Sequence, residues 1–598
     1  MEKWLEIRKP GNYKEMGERL HVSPVTARIL RNRDLLTDED IFAYLKPEEF
    51  PEHDGKKMGD LKKAASIIAE KISEGKKIRI IGDYDVDGIS STYILYKAIS
   101  LYGGKADYRI PHRIEDGYGI NIKMIDEAIE AGVDTIITCD NGISAFEQVK
   151  HAKENGLTVV ITDHHEIPFE EKDGIRKYII PNADAVADPK KEGDSYPFSG
   201  ICGAMVAFKF SEVLWETVND MPADRIYIPA PKAYNELKLE LTEFAALATV
   251  CDVMELKDEN RSIVTKGMSL MADSRNKGLR ALIDVTGLKG RKLTSYSLGF
   301  VIGPCLNASG RLDTSLKALE LFTEENESLI YERALELKNL NEERKEMTTT
   351  ELSKAVSIVD GLSDMPKVLV VYLPDCHESL AGIIAGRLRE KYTRPTFVVT
   401  RTQNGLKGSG RSIDAYDMYE NLIKVSHLLS KFGGHKLAAG ISLPEENLSE
   451  FIKELNDNCN LSEDDFCETI RIDMELPFDY ANLSLARELE RLEPFGTGNA
   501  KPLFARGNVT LISGSYLGKT GCYGKYKVTD DSGKVYEMLY FGDAKAFEEY
   551  VSTIYSREEA KNLHKGVRVN IKLAVVYEIG INEFRGNESA QIIMKYYR

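Results

Sequence analysis

The sequence predicts an α/β protein with two α/β domains joined by a long helix and followed by an all-β domain. Three observations predict it. Strands alternate with helices from about residue 76, the same alternation resumes near residue 368, and short alternating strands follow residue 460. A chain of 598 residues, 42% hydrophobic and 29% charged, is too long for one core and has the composition of a globular protein.

The first α/β domain follows from four strand-like segments. KIRIIGDYD, ADYRIPHR, DTIITCD and LTVVITDHH are separated by the helical segments STYILYKAISLYG, NIKMIDEAIEAG and AFEQVKHAKENG. Helices of this length between strands indicate crossover connections and a parallel sheet. Ligands of such sheets collect beyond the carboxyl ends of the strands. Three of these four strands end in Asp or His, which places candidate functional side chains at that edge.

The remaining elements divide the chain into five segments. A charged helical stretch after residue 315 separates the two α/β domains, and the second opens at VLVVYLP. Strands such as NVTLISGSYLG and VRVNIKLAVVYEI indicate the all-β domain. We expect an N-terminal helical extension (1–60), a first α/β domain (61–314), a connecting helix (315–364), a second α/β domain (365–459) and the all-β domain (460–598).

Charge and targeting signals narrow the class of protein. The net charge of −16 argues against a general binder of polyanions, although residues 508–598 hold 13 Lys/Arg against 11 Asp/Glu. We expect no signal peptide, because the N-terminus lacks an apolar run, and no membrane contact, because no apolar run approaches about 20 residues. The eight scattered cysteines include no CxxC pair, which favours reduced thiols. We therefore expect a cytoplasmic protein.

The segment GDYDVDG is the first candidate site. Asp83, Asp85 and Asp87 follow a strand at alternate positions, where side chains share a face. Crowded carboxylates repel each other unless a cation neutralises them. A calcium EF-hand loop is excluded, because Ile94 stands where that loop needs glutamate and because a strand precedes the motif. A solvated acidic turn remains an alternative for this segment taken alone.

Other polar residues stand at corresponding places. Asp140 follows one buried strand, Asp163, His164 and His165 follow another, and Asp252 lies near the end of an apolar helical segment. Carboxylates with one or two imidazoles suit Mn²⁺ or Mg²⁺ better than zinc. One carboxylate bridging two ions about 3.5–4 Å apart would make a two-metal phosphoester hydrolase.

These motifs resemble a known family. DYDVDG, TCDNGI, TDHH and the aspartate of ATVCDV are similar, in this order, to the four motifs of the DHH phosphoesterase superfamily. GPCLNASGR, GSGRS, GGHKLAAG and LEPFGTGNAKPLF continue the resemblance to the RecJ family of bacterial single-strand-specific 5′→3′ DNA exonucleases. It covers residues 78 to about 505. It implies a DHH domain, a DHHA1 domain and, in the β-rich tail, an OB-fold.

The resemblance implies roles for the residues at the sheet edge. Two divalent ions, Mn²⁺ or Mg²⁺, would be held with Asp140 as the bridge. Asp83 would support either ion, and His165 would face the scissile phosphate. The implied metal ligands are Asp85, Asp87, Asp140, His164 and Asp252.

The glycine-containing motifs suit phosphate recognition. Glycine lets backbone N–H groups approach an anion, and the guanidinium of Arg411 offers two parallel donors. Glycine turns are the alternative for each motif taken alone. The resemblance implies that Arg113, Ser409 and Arg411 form a 5′-phosphate pocket. It places Asn307, Arg311, His377 and His435 near the scissile bond, and it adds Gly433 and Gly434 to the implied substrate contacts.

Two positions depart from the family pattern. Cys305 stands where the family usually has arginine, and Cys376 precedes His377 where the family has a Trp-His pair. In the β-rich tail, aromatic residues that could stack on bases occur beside lysines, although about half of strand aromatics face a core. These residues are Tyr516, Tyr523, Tyr526, Tyr540, Phe541, Lys519, Lys525 and Lys527.

The resemblance implies a metal-dependent hydrolase that degrades single-stranded DNA 5′→3′ in DNA repair and recombination. It suggests a RecQ-type helicase and a single-strand-binding protein as partners. One alternative is a DHH phosphodiesterase for short oligonucleotides or cyclic dinucleotides, although those relatives resemble only the two α/β domains. The other is a non-catalytic DHH-like replication scaffold, which would be expected to lack metal ligands that this chain has.

Overall fold

The computed structural model describes residues 2–50, 52–172, 175–403, 405–518 and 521–598. It divides into two compact units. One combines Met1–Glu49 with Glu468–Arg598, and the other spans Phe50–Cys467. No helix in these ranges is long and apolar enough to cross a membrane.

The first α/β domain contains the predicted parallel sheet. Its five strands are all parallel, in the spatial order Lys105–Arg109, Lys77–Ile81, Thr135–Cys139, Thr158–Thr162 and Ala185–Ala187. The helices Val86–Leu101, Ile122–Glu130 and Phe146–Glu154 connect the first four strands. The central strands Thr135–Cys139 and Thr158–Thr162 are buried almost throughout, as expected for a parallel sheet covered on both faces, whereas the edge strand Lys105–Arg109 is polar and partly exposed. A two-stranded hairpin, Phe169–Lys172 with Ile175–Tyr178, precedes the fifth strand.

A layer of helices completes this domain. They are Leu61–Ser73, Gly203–Asn219, Pro231–Cys251, Asp258–Met271, Lys277–Val285, Gly303–Leu312 and Leu316–Thr323. The predicted connection is the 34-residue helix Glu327–Asp360, capped by the Asn326 side chain. Its ion pairs include Glu342 with Lys345 at 3.1 Å and Glu351 with Lys354 at 2.6 Å. The helix therefore combines a solvated charged surface with a few buried apolar residues.

The second α/β domain has a mixed sheet. Its strand order is Lys431–His435, Ala438–Leu443, Gly405–Arg411, Thr396–Thr402 and Leu369–Tyr372, and only the last two strands pair in parallel. The helices Ala381–Tyr392, Met418–Lys424 and Leu448–Asp457 accompany it. The segments GSGR and GGH thus lie on strands, whereas the sequence alone suggested turns as the alternative.

The unit formed by the chain ends contains the all-β domain. A six-stranded sheet closes through pairing of Phe504–Leu517 with Ile571–Phe584. Its other strands are Met474–Glu475, Tyr523–Thr529, Val535–Tyr540 and Asn587–Tyr597, and its helices are Leu483–Glu490, Ala544–Ile554 and Arg557–His564. Within the same unit, strand Glu2–Glu6 pairs in parallel with Glu468–Ile472, and the helices Tyr13–Leu20, Pro24–Asn32 and Asp38–Leu45 follow it. Leu30, Phe478 and Phe504 belong to one buried cluster, so both chain ends build this core.

Candidate metal centre and anion pocket

The carboxyl ends of three neighbouring strands meet at one edge of the parallel sheet. Ile81 is paired with Thr138, and Cys139 with Thr162. Since the strands are in register, the residues that follow them emerge at the same level. The structure therefore brings together the acidic residues after the first strand, Asp140 after the third, and the Asp-His-His sequence after the fourth.

The ring of His164 lies at the centre of these carboxylates. Its Nε2 is 3.0 Å from Asp140 Oδ1, 3.5 Å from Asp87 Oδ2 and 3.8 Å from Asp252 Oδ2. One group of ligand atoms, from Asp87, His164 and Asp252, lies within 4.8 Å, and so does a second from Asp83, Asp85 and Asp140. Asp140 contacts both groups. This geometry allows one carboxylate to serve two ions.

Backbone groups hold the carboxylates in place. Asp85 begins the helix Val86–Leu101, and its Oδ1 accepts hydrogen bonds from the N–H groups of Asp87 and Gly88 at 2.9 and 3.1 Å. Asp87 accepts from Gly203 N and Ala204 N, both at 2.7 Å. These are the first N–H groups of the helix Gly203–Asn219, which have no partner within their own helix and attract anions.

Asp140 has an uncommon backbone conformation. Its φ is +60°, in the left-handed region that few non-glycine residues adopt. Gly203 accommodates its close approach, because a Cβ at Gly203 would lie 2.7 Å from Asp140 Cβ. Strained backbone of this kind often occurs where surrounding structure fixes a functional side chain.

The protein alone does not stabilise the charge of this cluster. Burial and the neighbouring carboxylates raise the pKa of Asp83 and of Asp140 well above their ordinary range, and they raise the pKa of Asp252 to about 8. Burial lowers the pKa of His164, whose Nδ1 is buried without a hydrogen-bond partner. Carboxylate oxygens and a neutral imidazole fit a hard divalent ion, which would supply the missing positive charge.

His165 is held by an aspartate that sequence analysis did not select as a site residue. Asp163 is buried, and its Oδ1 lies 2.7 Å from His165 Nδ1 while its Oδ2 accepts from Ile143 N at 2.9 Å. Burial would lower the pKa of His165, but the bond to Asp163 raises it to about 9. The hydroxyl of Tyr118 lies 3.2 Å from the His165 ring and donates to the Asp140 carbonyl at 3.1 Å. The position of Asp163 at a strand end was a usable signal, whereas nothing in the sequence singled out Tyr118.

Three arginines from different segments form a cationic cluster beside these carboxylates. Burial, followed by repulsion from Arg113, lowers the pKa of Arg311 to about 9 and also lowers that of Arg411. Arg113 stacks on the Tyr84 ring at 4.4 Å, and Arg311 Nη1 donates to Ser379 O at 2.6 Å. In the ranges that the structure describes, none of the three arginines pairs with a carboxylate. Half-buried like charges that form no direct ion pair indicate an anion site, although Arg113 is close enough to Asp83 and Asp85 to reduce the rise that burial causes in their pKa values.

A cavity of about 460 Å³ lies beside this cluster, between the two α/β domains. Arg113, Ser409 and Gly433 line it, as do Lys407 and Lys431, which sequence analysis missed. Ser409 Oγ accepts from Arg411 Nη1 at 3.2 Å. A Cβ at Gly382 would lie 2.9 Å from both Arg411 Nη2 and Ser409 Oγ, so this glycine makes room for the pair.

Other residues implied as substrate contacts do not line this cavity. His377 lies one step away, with its Nδ1 2.7 Å from the Oγ of Ser379, which does line it. Asn307 is half-buried on the helix that carries Arg311. Gly434, at φ +146°, would place a Cβ 2.3 Å from the Ala438 carbonyl. His435 is exposed at the end of the same strand.

The two cysteines that depart from the family pattern are buried. Cys305 Sγ lies 3.2 Å from Val301 O and accepts from Asn341 Nδ2 at 3.5 Å. Cys376 belongs to the apolar cluster beneath the second sheet. Neither lines the cavity.

The aromatic residues of the all-β domain divide into two groups. Tyr526 is fully buried and bonds to His564, so it belongs to the core. Tyr523 and Phe541 are 42% and 52% exposed and contact each other edge to face. Tyr516 is partly exposed and stacks on His564, and Tyr540 is half-buried. Lys519 lies outside the described residues.

Family models match three consecutive parts of the chain. Residues 77–249 match the N-terminal domain of the DHH family, residues 365–461 the DHHA1 domain and residues 472–596 the RecJ OB domain. The order of the three models is the order of the domains described above.

Curated relatives and a solved structure match nearly the whole chain. The RecJ single-stranded-DNA-specific exonuclease of Bacillus subtilis is 30% identical over 99% of this chain and 70% of its own length. The enzyme of the same name from Haemophilus influenzae is 31% identical over 97% of each. The crystal structure of Thermus thermophilus RecJ in complex with Mn²⁺ aligns with a TM-score of 0.79 and 25% identity, covering 100% of this chain and 79% of that one. With its three domains, its acidic sheet edge and relatives of this identity and coverage, the chain belongs to the RecJ family of DHH phosphoesterases.

Proposed function

We propose that this protein is a metal-dependent exonuclease that hydrolyses single-stranded DNA from the 5′ end. The family members from Bacillus subtilis and Haemophilus influenzae are named as single-stranded-DNA-specific exonucleases. The observation that carries the proposal is the juxtaposition of two groups of possible metal ligands, which Asp140 connects, with a cluster of unpaired arginines. Hydrolysis of a terminal phosphodiester would use both features. Metal ions would activate the reacting phosphate, and cationic side chains would bind the neighbouring 5′-phosphate.

The proposed metal ligands are Asp85, Asp87, Asp140, His164 and Asp252, with Asp83 in support. Two ions, Mn²⁺ or Mg²⁺, would supply an activated water and charge stabilisation of the leaving oxygen. The relative from Thermus thermophilus binds Mn²⁺ in one solved structure and Mg²⁺ in another. Asp140 would bridge the two groups, and its fixed backbone would hold their spacing.

His165 would donate a hydrogen bond to the reacting phosphate. Asp163 orients its ring through Nδ1, and Nε2, which lies 3.2 Å from the Tyr118 hydroxyl, would be the atom that turns to the phosphate. In the absence of bound metal, the bond to Asp163 raises the pKa of His165 to about 9 and so favours the protonated imidazole. A cationic donor at that position would stabilise negative charge as it develops on the phosphate oxygens.

Arg113, Ser409 and Arg411 would hold the 5′-terminal phosphate. Arg113 of the DHH domain and Ser409 of the DHHA1 domain line the cavity, so an anion there would be held from two sides. Arg411 is not among the lining residues, but it lies on the strand of Ser409 and donates to its Oγ. Gly433 lines the same cavity. Asn307, Arg311, His377 and His435 would contact the strand near the scissile bond, and Gly434 would be a further substrate contact.

Further parts of the proposal rest on the family resemblance. The boundaries 1–60, 61–314, 315–364, 365–459 and 460–598 would separate the N-terminal extension, the DHH domain, the connecting helix, the DHHA1 domain and the OB-fold domain. We expect a role in DNA repair and recombination in the cytoplasm. A RecQ-type helicase and a single-strand-binding protein would supply and present the single strand.

One experiment separates the candidate functions. The protein is incubated with Mn²⁺ and either 5′-labelled single-stranded DNA, the corresponding duplex, a dinucleotide or a cyclic dinucleotide. We expect mononucleotides from the single strand and little product from the duplex. Preference for the dinucleotide or the cyclic dinucleotide would instead establish a small-substrate phosphodiesterase. No hydrolysis of any substrate would establish a scaffold.

A further inference from the structure

An exposed aromatic pair lies outside the residues assigned to metal or phosphate. Tyr296 and Phe300 are 66% and 64% exposed, and their rings stack with centroids 4.9 Å apart and 19° between the planes. Because they stand four residues apart in helical backbone, they share one face of the helix. Large apolar surface left in water commonly marks a binding surface.

The segment that carries this pair contacts the residue before a candidate metal ligand. Tyr296 lies in the short helix Ser295–Ser297 and Phe300 in the π-turn Leu298–Ile302 that follows it, and the Leu298 carbonyl lies 3.7 Å from the Sγ of Cys251, the neighbour of Asp252. Val253 follows the candidate ligand Asp252 directly, is 66% exposed and has a φ of +58°, which β-branched residues rarely adopt. We call Val253, Tyr296 and Phe300 the aromatic shelf.

Two cationic residues precede the shelf in the sequence, in the non-helical segment that leads into Tyr296. Arg291 and Lys292 are both exposed and stand five and four residues before Tyr296. Aromatic rings combined with neighbouring cations are the usual surface for single-stranded nucleic acid, because rings stack on bases while cations follow the phosphates. Continuity of the shelf with the metal centre points to the same substrate strand.

The strand must leave the metal centre on the side away from the 5′-phosphate. An exonuclease acting at the 5′ end keeps only the terminal nucleotide on one side of the scissile bond. The cavity proposed for its phosphate is lined by Arg113, Ser409 and their neighbours, and no shelf residue lines it. Phe300 also stands seven residues before Asn307, about 10 Å along a helix. We infer that Tyr296 and Phe300 stack on bases of the single strand beyond the nucleotide that follows the scissile bond.

This inference rests on the proposed function, and one kinetic comparison tests it. The double variant Tyr296→Ala/Phe300→Ala is compared with wild type on a long single strand and on a 5′-phosphorylated dinucleotide. Stacking on one base contributes enough affinity that kcat/KM for the long strand should fall about tenfold or more. The dinucleotide does not reach the shelf, so its hydrolysis should stay within about twofold of wild type.

A base-free substrate tests stacking itself. In this substrate the bases beyond the second nucleotide are replaced by abasic sugar-phosphate. The kcat/KM of wild type should then fall to that of the double variant, whose own kcat/KM should not change. Tyr296→Phe should retain wild-type kinetics, because the ring remains. Tyr227→Ala removes a 65% exposed ring elsewhere in the same unit and should leave kcat/KM unchanged on both substrates.

The possible failures are distinguishable. If wild type cleaves the long strand and the double variant does so equally well, the shelf inference is wrong and the exonuclease proposal stands. Equal losses on the long strand and the dinucleotide would also overturn it, because the shelf would then act at the metal centre or on folding. If wild type hydrolyses neither substrate, the proposed function itself fails.

Discussion

Arg411 is expected to decide how the enzyme recognises a 5′ end. Its guanidinium is half-buried, repelled by Arg113 and without a carboxylate partner among the described residues. A terminal phosphate would remove that repulsion through charge-assisted hydrogen bonds, each worth about 1.5–3 kcal/mol. Arg411→Ala should therefore lower kcat/KM on 5′-phosphorylated single-stranded DNA roughly 10- to 100-fold.

The matched substrate for this variant carries a 5′-hydroxyl. The loss there should be much smaller, because the phosphate that Arg411 contacts is absent. Metal affinity, measured by Mn²⁺ titration, should be unchanged. If Arg411→Ala lowers kcat/KM equally on the two substrates, Arg411 binds the internal backbone of the strand and recognition of the 5′ end depends on other residues.

The raised pKa of Asp252 makes the stability of the metal-free protein depend on pH. Its pKa rises from an ordinary value of about 4 to about 8 in the folded state. The folded protein therefore binds more protons than the unfolded chain between these values, and its stability falls as pH rises through that window. In chelator, the melting temperature should fall from about pH 5 to about pH 8. Asp252→Asn should flatten this slope.

Mn²⁺ provides the control for the pH experiment. Bound cations stabilise the ionised carboxylates, so the wild-type melting temperature in Mn²⁺ should vary less over the same pH range. A wild-type slope that Asp252→Asn leaves unchanged would show that other groups dominate the dependence.

At the scale of elements, the start of the helix Gly203–Asn219 fixes one half of the metal centre. Gly203 donates its N–H to Asp87 and passes so close to Asp140 that a Cβ would lie 2.7 Å from the Asp140 Cβ. Gly203→Ala should push the helix away from both carboxylates. We expect a weaker Mn²⁺ affinity by about tenfold or more and a corresponding loss of nuclease activity.

Gly507→Ala is the matched control for this substitution. A Cβ there meets no atom within 4 Å, and Gly507 lies on a strand of the all-β domain. Its Mn²⁺ affinity should equal that of wild type. Wild-type Mn²⁺ affinity in Gly203→Ala would show that the start of this helix does not position the metal ligands.

The sequence predicted the elements where local pattern and tertiary environment agree. Buried strands ending in Asp140 and Asp163 have a strong apolar signal, so the parallel sheet and its acidic edge could be predicted. The segments GSGR and GGH were ambiguous, since glycine has little strand preference and only tertiary pairing makes them strands: GSGR pairs with Thr396–Thr402 and Ala438–Leu443, and GGH with Ala438–Leu443. Strand Glu2–Glu6 was missed because its partner, Glu468–Ile472, lies at the other end of the chain.

Individual roles within the site were less predictable than its location. The motifs predicted that the candidate metal ligands meet at one sheet edge, and the structure brings these side chains together there, because register aligns the strand ends. Lys407, Lys431 and Tyr118 approach the site through loops and a second sheet, and no local pattern marks them. The burial of Tyr526 likewise depends on which face of its strand meets the core.

At the scale of the whole molecule, catalysis and affinity for long strands should be separable. The apolar clusters of the DHH and DHHA1 domains are each complete within residues 50–467, so we expect this segment to fold alone. It should hydrolyse dinucleotides with near wild-type kcat/KM but show a much higher KM for long single strands, because the OB-fold domain supplies remote affinity.

Salt dependence and a smaller deletion complete this test. The affinity of the full chain for long strands should fall more steeply with salt than that of residues 50–467. Removing only residues 460–598 would leave Leu30 and its neighbours without their buried partners, so that deletion should aggregate or lose stability. If the segment 50–467 loses kcat/KM equally on short and long substrates, the OB-fold domain has a structural role and does not supply affinity.

One edge of the parallel sheet is expected to hold two ions that Asp140 connects. Anomalous scattering at the manganese edge, recorded from crystals of the whole protein soaked in Mn²⁺, tests it most directly. We predict two peaks about 3.5–4 Å apart, one beside Asp83 and Asp85 and the other beside Asp87, His164 and Asp252, with Asp140 contacting both. A single peak, or two peaks that Asp140 does not connect, would contradict the account.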